Sequence, residues 1–308
     1  MNSALGIDTS NYTTSAAVYS DDASYVNSRR ILDVDKGEVG LRQSEALFKH
    51  VKNLPEIVKT ALDNNSISAV GVSDRPRSQD GSYMPCFLAG VSVAEGISSA
   101  LCVPIYKFSH QSGHIAAALL SANKTELLGK KFISFHISGG TTEALLIDYD
   151  KDDFFKAEII AKSLDLKMGQ AVDRVGNILG LSFPAGKELD KLSLTGTLPE
   201  KPKPFIKGLD CSISGLQNKA EALFKKGYSS NDIALYTISF LSSTLDKMTE
   251  QILLEYGNLP LVFAGGVVSN TLIRKHISEK YGAYFASTEL SSDNAVGTAF
   301  MAYCKHFK

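Results

Sequence analysis

This chain of 308 residues has no tryptophan, four cysteines and a formal net charge of only -1. Cys86, Cys102, Cys211 and Cys304 stand far apart with no C-x-x-C pair. That spacing excludes a zinc ribbon and a disulfide scaffold and suits a reducing cytoplasm, with buried free thiols expected. A pI near 6.6 provides no global basic field, so any nucleic-acid contact has to come from a local patch or a partner subunit. No run approaches the roughly 20 apolar residues of a bilayer span. Gly6, Asp8, Asn11 and the nearby Ser and Thr residues interrupt any apolar stretch at the start. Neither a membrane anchor nor a secretory leader is expected, and the expected location is the cytoplasm. With 44% hydrophobic and 21% charged residues, the chain can bury one large core or, as expected for its length, two packed domains.

What is present is a repeat. A strand at Ala4 to Asp8, a polar turn from Thr9 to Thr14 and a strand at Ser15 to Ser20 read as a hairpin. The same pattern returns as a strand at Phe132 to Ser138, the turn Gly139-Gly140-Thr141-Thr142 and a strand at Glu143 to Asp148. Two hairpin-led halves predict two related α/β subdomains facing one another across a cleft between the turns. Periodicity predicts helices over 44–64, 87–100, 168–179, 185–194, 212–226, 231–256 and 294–306, with Asp293 or Asn294 capping the last. Strands are expected at 67–72, 104–108, 259–264 and 284–285. Residues 74–85, with charge, glycine and two prolines, read as a loop, and 199–204 as a proline-rich linker.

His110 and His114 lie four residues apart in Ser109-His110-Gln111-Ser112-Gly113-His114. On a helix that spacing points both imidazoles to one side, which fits two ligands of a divalent metal and fits equally two half-buried core histidines. Three turns that each follow an apolar strand are suited to phosphate: Asp8-Thr9-Ser10, Ser138-Gly139-Gly140-Thr141-Thr142 and Gly265-Gly266. There small residues let backbone N–H groups approach an anion and hydroxyls donate to it, although any single Gly-Gly serves as well for a tight turn. Their joint occurrence resembles the actin, heat-shock-chaperone and sugar-kinase (ASKHA) architecture.

Seven motifs in order carry a closer resemblance: His110-Gln111-Ser112-Gly113-His114 to H-x-x-G-H, Ile137-Ser138-Gly139-Gly140-Thr141-Thr142 to V-S-G-G-x-T, and Gly169-Gln170-Ala171-Val172-Asp173-Arg174-Val175 to G-E-A-F-D-K-V. Pro184-Ala185-Gly186 matches P-G-G, Ser212-Ile213-Ser214-Gly215-Leu216-Gln217 matches F-S-F-S-G-L-K, Gly265-Gly266-Val267-Val268-Ser269-Asn270 matches G-G-V-x-x-N, and Ser292-Asp293-Asn294-Ala295 matches T-D-N-A. Over nearly its full length the chain resembles the tRNA threonylcarbamoyladenosine transferases (TsaD, also Gcp or YgjD, once described as O-sialoglycoprotein endopeptidases). The resemblance implies a duplicated ASKHA fold of two ribonuclease-H-like subdomains around a nucleotide cleft, one from 1–128 with 292–308 and one from 129–291 with a helical insertion. It implies metal ligation by His110, His114 and Asp293. It implies nucleotide or substrate contacts at Asp8, Ser10, Ser138, Gly139, Gly140, Thr141, Asp173, Gly186, Gly265, Gly266 and Asn270. The activity implied is transfer of a threonylcarbamoyl group from a carbamoyl-adenylate to N6 of a tRNA adenosine. ATP or AMP and a divalent metal would serve as cofactors; a His-His-Asp set suits iron or zinc, with manganese or magnesium also possible ions. Family members also pair with a TsaB-like non-catalytic subunit, or with a second copy, through the small-residue helix at 87–100.

Departures from the family pattern set the alternatives. Ser73-Asp74-Arg75-Pro76-Arg77 replaces T-x-G-P-G-L, Gln170, Val172 and Arg174 alter the G-E-A-F-D-K stretch, Gln217 replaces a lysine, and Asp8-Thr9-Ser10-Asn11 replaces E-T-S-C. They point to a divergent paralog that keeps the metal and nucleotide apparatus, and they leave open a different acceptor or a non-catalytic, partner-binding role. A metallopeptidase is disfavoured, because zincins place a glutamate base directly after the first histidine and Gln111 cannot take a proton.

Overall fold

The computed structural model describes residues 2–10, 12–33, 41–63, 65–79, 81–287, 289–290 and 294–308. Strands β1 (Ser3–Asp8), β2 (Thr13–Ser20) and β3 (Tyr25–Ile31) are followed by α1 (Gln43–Leu62), β4 (Ala69–Arg75), α2 (Phe87–Leu101), β5 (Ile105–Ser109) and α3 (His110–Ser121). The second half runs β6 (Phe132–Ile137), β7 (Thr142–Asp150), β8 (Phe154–Lys162), α4 (Met168–Ile178), α5 (Gly186–Ser193), β9 (Phe205–Lys207), β10 (Asp210–Ser212), α6 (Gly215–Lys225) and α7 (Ser230–Tyr256). It closes with β11 (Leu261–Ala264), α8 (Thr271–Tyr281), β12 (Tyr284–Phe285) and α9 (Val296–Phe307).

The first sheet has the order β3-β2-β1-β4-β5 and the second β12-β11-β6-β7-β8. Strand for strand these are the same arrangement, with β6 in the place of β1 and β11 in the place of β4. β1 is antiparallel to β2, with Asp8 opposite Ser15, and parallel to β4, with Ile7 opposite Val72. β6 is likewise antiparallel to β7, with Ile137 opposite Thr142, and parallel to β11, with Phe135 opposite Phe263. The two sheets are the two copies of a duplicated ASKHA-type fold. Between its third and fourth strands the first copy has, among the described residues, the helix α1, and the second inserts α4 to α7 with the short β9–β10 ribbon.

β1 and β2 are buried at every residue, because helices pack on them; this is why both read as runs of small and apolar residues rather than as alternating strands. α1 turns Ala46, His50, Leu54, Val58 and Ala61 inward at spacings of three and four. α9 lies so close to β1 and α3 that a side chain on Gly6 would strike the backbone of Ala295 and Ala299, and one on Gly297 the carbonyl of Gly113. In the second sheet, Phe135 and Phe263 stack at 4.3 Å between ring centroids and Phe285 continues the stack at 5.2 Å, a geometry worth about 1 kcal/mol per pair beyond burial.

The chain divides into two compact units, Met1–Lys130 with Asp148–Lys156 and Glu289–Lys308, and Lys131–Ile147 with Ala157–Thr288. The tip of the β7–β8 hairpin belongs with the first unit, which a division into 1–128 plus 292–308 and 129–291 does not provide. Three further expectations need correction. β3 and β8 are strands where none was expected, since β3 is an edge strand with Arg29, Arg30 and Ile31 exposed and no apolar run marks it. Residues 74 and 75, expected in a loop, continue β4, which pairs Arg75 with Ser109 after an irregularity at Ser73. Of the four thiols, Cys102 is exposed and Cys86, Cys211 and Cys304 are buried.

Candidate functional site

α3 begins where β5 ends. Ser109 caps it by accepting the Ser112 N–H on Oγ at 3.1 Å, and the next residue is His110. One turn on, His114 brings its ring to 4.3 Å from that of His110, centroid to centroid. Asp8, the last residue of β1, stands behind His110, with Oδ2 at 2.7 Å from Nδ1. The same oxygen accepts the Ser73 hydroxyl at 2.7 Å, and Oδ1 accepts the Ser10 N–H at 2.8 Å. Asp8 is 1% exposed. Burial alone would raise its carboxyl; attraction to His110 and the hydrogen bonds from His110, Ser73 and Ser10 hold it well below the usual carboxylate range. An ionised carboxylate on Nδ1 fixes the proton there, so a cation would take Nε2, and this is how metal-binding imidazoles are commonly oriented. Sequence reasoning grouped Asp8 with the substrate contacts. The structure instead commits both its oxygens to protein donors.

The close packing of Gly297 on Gly113 seats the start of α9 against the histidine helix, and Asn294 opens that helix by accepting the Val296 N–H at 3.0 Å. Asp293, the expected third ligand, lies outside the described residues, as does Asn11 of the first turn. Among the described residues no group of three His, Cys, Asp or Glu side chains forms a metal cluster. The two imidazoles and their orienting carboxylate fit a borderline ion such as zinc or iron(II) better than magnesium, which prefers an all-oxygen shell. In the same turn Ser10 Oγ is buried and makes no hydrogen bond, a hydroxyl suited to an anionic oxygen.

In the second unit the expected residues gather around α4 and α5. Ser138 to Thr141 form a tight turn closed by the Ser138 N–H on Thr141 O at 2.7 Å and the Thr141 N–H on Ser138 Oγ at 3.1 Å. The first N–H groups of α4 are satisfied by this turn, Met168 on Thr142 Oγ1 at 2.9 Å and Gly169 on Ser138 O at 3.1 Å. The glycines differ in purpose. A Cβ on Gly169 would lie 2.6 Å from the Gly139 backbone, and Gly265, at φ +109°, lies against the carbonyl of Ile137, so both serve packing and conformation. Gly139, Gly140, Gly186 and Gly266 have open space where a Cβ would stand. Packing does not require glycine at these four positions. Asp173 accepts the Ala185 N–H at 3.0 Å, next to Gly186. Asn270 caps α8 through Oδ1, accepting from Leu272 and Ile273 at 3.1 Å each, and its Nδ2 donates to Asp190 Oδ1 at 2.7 Å. Asp190, which also accepts from Thr271 Oγ1 at 3.2 Å, was not singled out from the sequence, where it reads as one charge on a polar helix face.

The profile of the tRNA N6-adenosine threonylcarbamoyltransferase family (TsaD) matches residues 30–300. The chain belongs to this family. A transferase of that name from Thermosipho africanus (strain TCF52B) is 31% identical over 97% of this chain and 93% of its own length. One from Fusobacterium nucleatum is 29% identical over 98% of this chain and 90% of its own. Among solved structures, the (R)-2-hydroxyglutaryl-CoA dehydratase component A of Acidaminococcus fermentans superposes with a TM-score of 0.58 at 18% identity over the whole of both chains. A ROK-family glucokinase from Streptomyces griseus does so at 0.52 and 12% identity over 97% of this chain and 99% of that one. These likenesses show the ASKHA fold.

Within the TsaD family two departures answer one another. Arg174 donates to Gln217 Oε1 at 3.0 Å, joining α4 to α6 at positions where the family motifs carry two lysines. His50, absent from the expected site, is wholly buried beneath the first turn, its Nδ1 at 2.8 Å from Thr14 Oγ1 and its Nε2 without a hydrogen-bond partner. Burial lowers its pKa to about 4, with only partial opposition from the Asp8 carboxylate. Its place on the apolar stripe of α1 was legible, but its depth beside Asp8 was not.

Proposed function

We propose that the protein transfers a threonylcarbamoyl group from a carbamoyl-adenylate to N6 of a tRNA adenosine, using a divalent metal held by His110, His114 and Asp293. The observation that carries the reading is the Asp8–His110–His114 array in a chain of the TsaD family: a buried carboxylate is devoted to fixing one imidazole of a pair. When bound, the ion supplies Lewis-acid polarisation of the carbamoyl or phosphate oxygens. Ser10 Oγ offers a hydroxyl to an anionic oxygen, the Ser138–Thr141 turn offers an unobstructed backbone to phosphate, and Asp173 offers a carboxylate to ribose hydroxyls. The acceptor amine attacks the carbamoyl carbon, the new C–N bond replaces the C–O bond of the mixed anhydride, AMP leaves and the amine gives up a proton. No side-chain nucleophile is needed. A TsaB-like subunit or a second copy is read onto α2, where Leu88 and Leu101 are about half exposed, next to a groove lined by Pro55, Val58, Leu62 and Ile97. No described helix is long and apolar enough to cross a membrane, and a cytoplasmic location is read from the tRNA substrate.

The Arg75–Arg77 segment favours a second reading, a carbamoyl transferase with another acceptor or a nucleotide-binding paralog without transfer. Threonylcarbamoyl-adenylate, unmodified tRNA and the metal-loaded protein, with any partner subunit added, separate these readings by mass spectrometry of the tRNA nucleosides. Modified adenosine that disappears on chelation supports the proposal. AMP binding with unmodified tRNA supports the rival.

A further inference from the structure

One buried charged group outside the metal and nucleotide candidates is unaccounted for. Asp153, at the tip of the β7–β8 hairpin, is 2% exposed and belongs to the first unit. Its turn is fixed by Asp150 Oδ1, which accepts the N–H groups of Asp152 and Asp153 at 2.8 and 2.7 Å. Asp153 Oδ1 accepts the Ser109 N–H at 2.8 Å. Its Oδ2 accepts the hydroxyls of Ser112, at 3.1 Å, and Ser78, and lies 3.4 Å from Arg75 Nη2. An unpaired carboxylate at such depth is strongly unfavourable, so these four donors and the positive end of α3 are what keep it there.

The donors fall into two sets. Ser109 and Ser112 are the cap and first turn of the helix that carries His110 and His114. Arg75 and Ser78 belong to the segment that replaces the family's Gly-Pro-Gly, and that segment meets the same helix turn, since the Gln111 N–H donates to Pro76 O at 3.1 Å. Arg75 also pairs with Asp74 at 2.5 Å; with two carboxylates on it, it acts as an anchor rather than as an anion receptor. We propose that Asp153 is a positioning residue of the metal site: by holding Ser109 and Ser112 it fixes where His110 and His114 stand relative to Asp8, and by holding Ser78 and Arg75 it locks the divergent segment onto that helix turn. The proposal rests on the reading that the two histidines hold a metal.

The test is zinc affinity of the full chain, measured by competition with a chromophoric chelator, for the wild type and for Asp153→Ala, Asp153→Asn, Ser112→Ala and His110→Ala. Folded Asp153→Ala is expected to bind zinc at least about tenfold more weakly, the low end of the loss seen when groups supporting metal ligands are removed. Asp153→Asn, whose amide oxygen still accepts the Ser109 N–H but whose amide nitrogen cannot accept from Ser112, Ser78 and Arg75, is expected between the wild type and Asp153→Ala. Unchanged affinity in Asp153→Ala, or an equal loss in Asp153→Asn, overturns the proposal. Where Asp153→Ala does not fold, Ser112→Ala decides: a loss of about threefold or more supports the proposal and none overturns it. A wild type that binds no zinc, or binds it equally well after His110→Ala, defeats the metal reading itself, an outcome distinct from a failure confined to Asp153.

Discussion

β1 and β6 occupy the same place in the two copies of the fold, and each runs into a polar turn, yet the turns face opposite needs. At the end of β1, Asp8 is buried and every oxygen it has is hydrogen-bonded to the protein. At the end of β6, Gly139 and Gly140 are exposed and nothing stands where their side chains would be. One copy has turned its hairpin inward, with Asp8 on His110, and the other has left its glycine turn exposed. A duplicated scaffold thus gives two different turns from one geometry: β1 ends on the buried Asp8, whereas β6 is followed by Ser138 and the exposed Gly139 and Gly140.

The largest expected effect falls on the first turn's side. His110→Ala removes a ligand and is expected to abolish metal-dependent transfer in the tRNA assay; retained transfer would break the division of roles. Glycine substitutions sharpen the contrast in the second copy. Gly169→Ala forces a Cβ to 2.6 Å from the Gly139 backbone and is expected to lower unfolding stability by about 3 kcal/mol, measured by denaturant. Gly140→Ala meets open space and is expected to leave stability within about 0.5 kcal/mol, while calorimetry with AMP shows clearly weakened binding.

The buried His50 under the first turn predicts a pH dependence. Its folded pKa of about 4 lies below the 6.5 usual for a free histidine, so between pH 4 and 6.5 the unfolded chain binds more protons and stability falls as pH drops through that window. The expected loss is on the order of 2–3 kcal/mol, and denaturant curves at pH 7 and pH 4.5 should converge in His50→Gln; an unchanged slope in that variant would assign the effect elsewhere. Asp8→Asn keeps the shape but loses the charge on Nδ1 and is expected to bind metal roughly 10- to 100-fold more weakly, read by chelator competition.

How far this was legible follows the same contrast. Glycine turns, the histidine spacing and the repeat of the hairpins are local patterns, and they announced the fold and most candidate residues. The partnership of Asp8 with His110 joins residues 102 apart and has no local signature, so Asp8 was grouped with the substrate contacts on the strength of its turn. Asn270 was expected at the nucleotide, and its side chain is engaged by its own helix and by Asp190, a capping role that Asn-Thr before a helix does announce. β3 was missed because a solvent-facing edge strand needs no apolar run, and Asp153 because an acidic run reads as a turn until tertiary packing buries one member of it.

The proposed transfer requires His110 and His114 to share one metal ion. X-ray absorption at the metal edge of zinc-loaded protein tests it directly. Two imidazole rings with oxygen donors completing the shell are predicted, falling to one ring in His110→Ala. A sulfur-containing shell, or a spectrum that His110→Ala leaves unchanged, would contradict it.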